Sequence, residues 1–241
     1  MTFPTRESVS YNNGISASGG GDPITLLDYP VSIAENDLLI LIAGARAAAI
    51  GDFPGAGWNS FGNSTATLTD MRCFWKKALG TESGTTISFV SFASPGDLEW
   101  SGIIYRFTGA ADPDTQPPEA AMSFQDSDTS TKTSPSLTPT GGAKDYTWIT
   151  AFVHRDQGTI SGYPTNYINN VYNLENAYAS MSGYADRELN ASSEDPGDFT
   201  TSLSADYSAC TIAIHPAGAG GLSVPEIITM RRKTNNPLIN M

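Results

Sequence analysis

Catalytic and metal-binding side chains are scarce in this sequence. Its 241 residues include two histidines and two cysteines, and no Gly-x-Ser-x-Gly segment occurs. An activated serine or cysteine needs a nearby base, but His154 and His215 stand at the ends of apolar runs with no motif around them. No Cys/His cluster has the ligand spacing of a zinc site. We therefore expect a protein that is not an enzyme and that needs no cofactor.

Acidic residues are common, but the sequence does not arrange them as a site. Glycoside hydrolysis needs two carboxylates at a fixed separation across a cleft, and no spacing here pairs them. Calcium sites need clustered oxygen ligands, and none of the acidic turns has the EF-hand spacing. These turns are Asp112–Asp114, Asp126–Asp128 and Glu194–Asp198. Because acidic turns on an acidic protein are usually just solvated, we predict no metal site.

Positive charge is also scarce. The formal net charge is −12, from 13 basic and 25 acidic residues, and the one basic cluster is Arg231-Arg232-Lys233. Phosphate groups are bound by clustered lysine and arginine, so we expect neither nucleic acid nor a membrane as partner. The N-terminus has no apolar signal-peptide core, and no apolar run approaches the roughly 20 residues of a transmembrane helix. We expect a soluble protein that is made in a cytoplasm.

Long stretches rich in Ala, Glu, Lys and Leu, which favour helices, are missing too. Instead, 23 glycines and 15 prolines separate short apolar runs, a pattern typical of many short strands. The run Leu38–Ala45, preceded by Asn36 and Asp37, predicts a strand buried on both faces, although a buried helix is the alternative. A second run, Tyr146–Val153, repeats this layout between an acidic and a basic residue. The composition thus indicates an all-β protein.

The second half of the chain repeats landmarks of the first half in the same order. Four pairs of landmarks are separated by 108, 110, 110 and 107 residues. They are Asp37 and Asp145, Pro54 and Pro164, Phe74 and Tyr184, and Trp100 and Tyr207. A nearly constant offset indicates an internal duplication, with chance similarity between β-rich segments as the alternative. Since neither half easily buries both faces of a sheet alone, we predict one jelly-roll-like, two-sheet β-sandwich.

The sequence divides into three parts. Residues 1–23 are polar and glycine-rich and are predicted to form an N-terminal arm or strand. Residues 24–217 form the sandwich, with similar halves at 24–110 and 120–217 joined by a connection rich in Ser, Thr, Asp and Pro. Residues 218–241 begin with a glycine-rich spacer and continue as an extended C-terminal arm, for which plain disorder is the alternative.

The two cysteines, Cys73 and Cys210, lie within strand-like runs at Met71–Trp75 and Ala209–Ile214. We interpret them as buried free thiols, since cysteine behaves as a small apolar residue in a core. A disulfide is the alternative, because the sequence does not show whether the two Cα atoms are close enough to be bridged.

The order of several short motifs matches a known kind of module. The motifs are Leu38-Leu39-Ile40 after Asn-Asp, Pro54-Gly55-Ala56-Gly57-Trp58, Phe74-Trp75-Lys76, Ile104-Tyr105-Arg106-Phe107-Thr108-Gly109 and Ile212-Ala213-Ile214-His215-Pro216. Over residues 5–217 this order resembles the β-sandwich modules of virion proteins of tailed bacteriophages. The resemblance implies a structural virion protein, most readily a capsid decoration (cement) protein, with a glycan-binding tail or fibre module as the alternative. It carries over no site residues.

The C-terminal arm combines apolar anchors with the basic cluster, as a partner-binding segment would. The predicted partner-binding residues are Ile227, Ile228, Arg231, Arg232, Lys233, Leu238 and Ile239. We expect the partner to be the major capsid protein or another virion protein, and the chain to form a homo-oligomer located in the virion. In the alternative function, Trp58, Tyr163, Tyr167 and Tyr172 stack on sugar rings, unless they cap the ends of the core.

Overall fold

The fold is built from β-strands. The computed structural model describes residues 2–16, 23–46, 55, 57–90, 98–175 and 180–218. Within these ranges the regular structure is all strand, and no helix of a length and hydropathy that would cross a membrane occurs. The prediction of an all-β protein is confirmed. The strands are β1 (Thr5–Ser16), β2 (Pro23–Asp28), β3 (Glu35–Arg46), β4 (Asn59–Ala66), β5 (Thr69–Leu79), β6 (Thr86–Val90), β7 (Leu98–Thr108), β8 (Glu119–Thr133), β9 (Lys144–Arg155), β10 (Ile160–Gly162), β11 (Ile168–Glu175), β12 (Ser180–Ala191) and β13 (Asp198–Ile214).

Two antiparallel sheets pack face to face. Sheet 1 has the strand order β1-β7-β3-β5-β4. Sheet 2 has the order β8-β13-β9-β12-β11. The short β10 pairs with the first part of β13. Each sheet comes from one half of the chain, and the orders correspond strand for strand, as an internal duplication would produce.

The register of the central strands shows how the two halves correspond. Ile40 on β3 pairs with Tyr105 on β7, and Ile149 on β9 pairs with Ile212 on β13. All four side chains lie in the core between the sheets. Matching the pairs gives an offset of 109 residues for β3 and β9 (149 − 40) and of 107 for β7 and β13 (212 − 105). The offset of 108 between Asp37 and Asp145 differs from the strand offset by one residue, and a shift of one residue within a strand would turn its side chains to the opposite face.

Jelly-roll-like connectivity occurs within each half and not across the sandwich. In a jelly roll, the first and last strands pair beside the third, and the second strand pairs with the penultimate one in another layer. The first half follows this order, with β1-β7-β3-β5 in sheet 1 and a separate β2-β6 pair. Among the described residues of the second half, the corresponding layer consists of the bridge between Leu137 and Glu194. The predicted two-sheet sandwich is thus confirmed, with successive halves as its sheets.

Three apolar clusters stabilise these layers. The central core lies between the sheets, and outer cores cover the outer face of each sheet. Alternate residues of β3 enter different cores: Ile40 and Ile42 face the central core, whereas Leu39 and Leu41 pack under β2 and β6. Each such buried aliphatic side chain contributes about 1.5–3 kcal/mol by leaving water. The predicted burial of β3 on both faces is therefore confirmed.

Two segments are more regular than the sequence predicts. The polar segment after Phe124 was predicted to be mostly connection, but β8 continues through it to Thr133. The main chain of β8 is paired with β13 on both sides of Asp126–Asp128, where the register shifts, and the side chains from Phe124 to Asp128 are exposed. Likewise β1 pairs with β7 from Thr5 to Ser16, so this N-terminal segment is an edge strand of the sandwich. Both segments are strands because their main chains pair with a neighbouring strand, and a polar sequence gives no sign of such pairing.

The described part of the C-terminus ends beside the loop that leaves sheet 1. The Ala217 amide donates a hydrogen bond of 2.8 Å to the Gly109 carbonyl. Gly218 is the last described residue. The predicted partner-binding residues all lie outside the described residues: Ile227, Ile228, Arg231, Arg232, Lys233, Leu238 and Ile239.

The two cysteines meet in the central core. Cys73 on β5 and Cys210 on β13 are free and buried, and their thiols are hydrogen-bonded across the sheets. Burial, and then this hydrogen bond, raise the pKa of the Cys73 thiol well above its ordinary value. Because the thiolate is the reactive form, we expect iodoacetamide to leave both cysteines unlabelled in the native protein and to label both in urea. Native-state labelling of either cysteine, detected by mass spectrometry, would contradict this burial.

Candidate functional site

A cleft opens where β3 and β4 begin and β5 ends, at one end of sheet 1. It has a volume of about 520 Å³, within the range of small-ligand sites. We call it the end cleft. Its lining residues are Glu35, Asn36, Gly57, Asn59, Trp75, Lys77, Ala78, Leu79 and Asp114.

A β-bulge at the start of β3 forms one wall of the end cleft. The register between β3 and β5 shifts between Glu35 and Leu38, and Asn36 has a φ of 71°. Asparagine tolerates this left-handed conformation better than most residues. The Asp37 carboxylate holds the bulge, since its Oδ2 accepts hydrogen bonds from the Ala34 amide at 2.7 Å and from Arg106 Nε at 2.6 Å. The bulge is thus fixed from a neighbouring strand, as bulges beside functional sites often are.

A lysine clamp forms the opposite wall. Lys77 Nζ lies 2.8 Å from Asp112 Oδ1 and 2.9 Å from Asp114 Oδ2. The hydrogen bond with Lys77 lowers the pKa of Asp112, and the bond with Asp112 is the main cause that raises the pKa of Lys77. The pairs are exposed, so each contributes little stability. For binding, these pairs mean that Lys77, the cationic side chain of this wall, already has two carboxylate partners.

The remaining polar groups of the end cleft have no partner among the described residues. The side chains of Glu35, Asn36 and Asn59 are exposed, and the Trp75 side chain is half-buried at the edge of the central core. The cleft therefore offers one carboxylate, two amides and an indole ring. This set suits a ligand with an apolar face and several hydroxyl or amide groups.

The aromatic residues predicted to stack on sugars do not line the end cleft. Trp58 is 5% exposed and donates from Nε1 to the Tyr29 hydroxyl at 3.2 Å. Tyr167 is 6% exposed and bonds Glu194, and Tyr163 packs edge-on against Phe199. The side chain of Tyr172 is outside the described part of the chain. Neither Trp58 nor Tyr167 presents a free ring face, so these two side chains serve the core.

The two histidines occupy separate surroundings. His215 Nε2 lies 2.8 Å from Glu119 Oε1, and burial lowers the pKa of this histidine. Its Nδ1 has no hydrogen-bond partner. His154 is fully buried beside Phe152, and neither of its ring nitrogens has a partner. In the described residues, no hydroxyl or thiol that would serve as a nucleophile is hydrogen-bonded to either histidine.

The acidic turns that were candidates for calcium are tied to protein groups. Asp126 accepts from the main chain and side chain of Thr67, and Asp128 pairs with Arg155 at 3.1 Å. Glu194 pairs with Arg187 at 3.1 Å. No group of three or more metal-ligating side chains is found in the part of the chain that the structure describes.

Sequence reasoning missed the end cleft because Asn36 and Asp37 were interpreted only as the residues that precede a buried strand. An asparagine, which tolerates positive φ, just before a buried run is the signal that would have indicated a bulge.

Comparisons with protein-family models, with curated proteins and with solved structures gave no match for this chain.

Proposed function

We propose that this chain is a structural virion protein of a tailed bacteriophage, and specifically a capsid decoration protein. The sandwich would sit on the shell, and the C-terminal arm would bind a neighbouring subunit or the major capsid protein. The order of strand and loop motifs supports this proposal.

The distribution of charge is the observation that carries the proposal. Residues 219–241 hold three basic residues and one glutamate, a net charge of +2. The preceding 218 residues hold the other ten basic and twenty-four acidic residues, a net charge of −14. A basic segment flanked by apolar residues is therefore complementary to the acidic surface of another subunit. A segment of this kind connects subunits in a way that a uniformly acidic sandwich would not.

The direct test locates the protein in phage particles. Antibodies raised against residues 2–218 are used to label particles from an induced culture that carries the gene, and the labels are located by electron microscopy. Labelled heads support a decoration protein, and labelled tails support the alternative of a tail or fibre module that binds host glycans. Particles without label, from a culture that expresses the protein, contradict both.

Charge reversal in the arm should weaken assembly. Changing Arg231, Arg232 and Lys233 to glutamate leaves the sandwich untouched but places six more units of negative charge beside acidic surfaces. We expect the full-length oligomer to dissociate at concentrations where the natural chain stays associated, measured by light scattering at low ionic strength. The control changes Lys144, a half-buried residue at the start of β9 on the body, to glutamate. Unchanged association of the triple variant would contradict the role of the basic cluster.

A further inference from the structure

The end cleft has the composition of a ligand site, and nothing in the decoration proposal uses it. We propose that the end cleft binds a neutral saccharide, with the Trp75 ring against one face of a sugar and with Glu35, Asn36 and Asn59 bonding its hydroxyl groups. This inference does not depend on the proposed virion role, because the arm and the end cleft share no residue.

The chemistry of the lining favours an uncharged, hydroxyl-rich ligand. Amide side chains both donate and accept hydrogen bonds, which matches hydroxyl groups that do the same. The Trp75 indole supplies the flat apolar surface that the C–H face of a sugar ring needs. Phosphate and carboxylate ligands are disfavoured, because Lys77 is already held at 2.8 and 2.9 Å by two aspartates.

The geometry of the cleft is fixed before a ligand arrives. Asn36 is presented by a bulge that Asp37 and Arg106 lock from within sheet 1. Trp75 is held by its place on β5, where it pairs with Ile40 on one side and Asn59 on the other. Preorganised groups lose less entropy on binding. The volume of about 520 Å³ accommodates a short oligosaccharide.

A cationic peptide is the rival occupant, because Glu35 carries an unpaired charge. The nearest source is the segment around Arg231 of another copy of the chain. Charge alone would attract such a peptide, but it would leave the two amides of the cleft without a specific role. The rival also predicts that binding weakens with salt, whereas saccharide binding should not.

Nuclear magnetic resonance tests the site with the full-length protein. The chain has four tryptophans, so the Trp75 indole N–H signal is assigned by its loss in Trp75→Leu, which keeps apolar bulk on the core side. Glucose, galactose, mannose, rhamnose and N-acetylglucosamine are titrated separately, as is a peptide with the sequence of residues 226–236. We expect at least one sugar to shift the Trp75 signal saturably at both low and high salt.

Point variants then separate the site from the rest of the surface. Asn36→Gly keeps the positive φ of the bulge and removes only the amide, and should weaken sugar binding about fivefold, the effect of one hydrogen bond. Asn170→Ala, at an exposed position on β11, should bind as the natural chain does.

Three results would overturn the proposal. They are the absence of any saturable shift with the five sugars, a shift that Asn36→Gly leaves unchanged, and a Trp75 shift caused by the peptide alone. None of these results bears on labelled heads or on charge reversal in the arm. Failure of the saccharide site and failure of the virion role are therefore separately visible.

Discussion

Replacing Gly44 with alanine should destabilise the protein by about 3 kcal/mol, the upper range for overpacking a core. Gly44 lies on β3, where a β-carbon would stand 2.2 and 2.5 Å from the two γ-carbons of Val153 on β9 and 2.8 Å from its β-carbon. Rotating the valine side chain does not relieve the contact, because its β-carbon is fixed to the main chain. The alanine must therefore push the two sheets apart.

A double variant tests this explanation. Val153→Ala removes both γ-carbons and should by itself cost about 2 kcal/mol through the cavity it leaves. Combined with Gly44→Ala, it should give a loss smaller than the sum of the two single losses by about 1 kcal/mol or more. The remaining 2.8 Å contact to the Val153 β-carbon keeps the rescue incomplete.

Urea unfolding at neutral pH measures these free energies. Gly218→Ala is the matched control, because a β-carbon there has no neighbour within 4 Å, and it should change the free energy of unfolding by less than about 0.5 kcal/mol. If the losses from Gly44→Ala and Val153→Ala simply add, steric contact between the sheets is not the cause. The result also tests whether the two halves fold as one body, since the contact joins sheet 1 to sheet 2.

The strands that carry the core were predictable, and the faces of those strands were less so. Leu38–Ala45 is apolar at consecutive positions, and this composition identifies a strand buried on both sides. The same property hides the register, because both faces look alike. The packing of the folded chain shows which face meets the other sheet, because Ile40 and its partner Tyr105, like Ile149 and its partner Ile212, lie in the central core.

Sequence patterns do not predict the polar strands or the end cleft. The segment of β8 after Phe124 contains Ser, Thr and Asp residues that are typical of loops, and it continues as a strand because β13 pairs with Gln125, with Thr129 and with Thr131–Thr133. The end cleft joins residues from β3, β4, β5 and the loop before β8. No local pattern in any one of these segments predicts that they lie together. They become neighbours only through the strand order of sheet 1 in the folded protein.

His154 should make the protein sensitive to acid. Burial, and then the neighbouring charge of Lys132, lower the pKa of His154 to about 3 in the folded state. In the unfolded chain an ordinary histidine has a pKa of about 6.5. Between these values the unfolded state binds a proton that the folded state does not bind. The free energy of unfolding should therefore fall by up to about 1.4 kcal/mol for each pH unit from pH 6.5 towards pH 3, and this contribution is fully present above pH 6.5.

Replacing His154 with leucine should remove this sensitivity and should stabilise the protein at neutral pH by about 1 kcal/mol or more, because two buried nitrogens without partners are lost. Urea unfolding of both proteins at pH 7.5 and pH 4.5 gives the decisive quantity, which is the difference between their pH-dependent losses. Carboxylates such as Glu82, whose pKa is lowered in the fold, also reduce the free energy of unfolding in acid. This reduction is the same in both proteins and cancels in the difference. Met181, which pairs with His154 in the sheet, provides the control: Met181→Leu changes the same core without a titrating group and should keep the acid loss. If His154→Leu loses as much stability between pH 7.5 and pH 4.5 as the natural chain, the pKa of His154 is not lowered in the folded state, and the prediction is wrong.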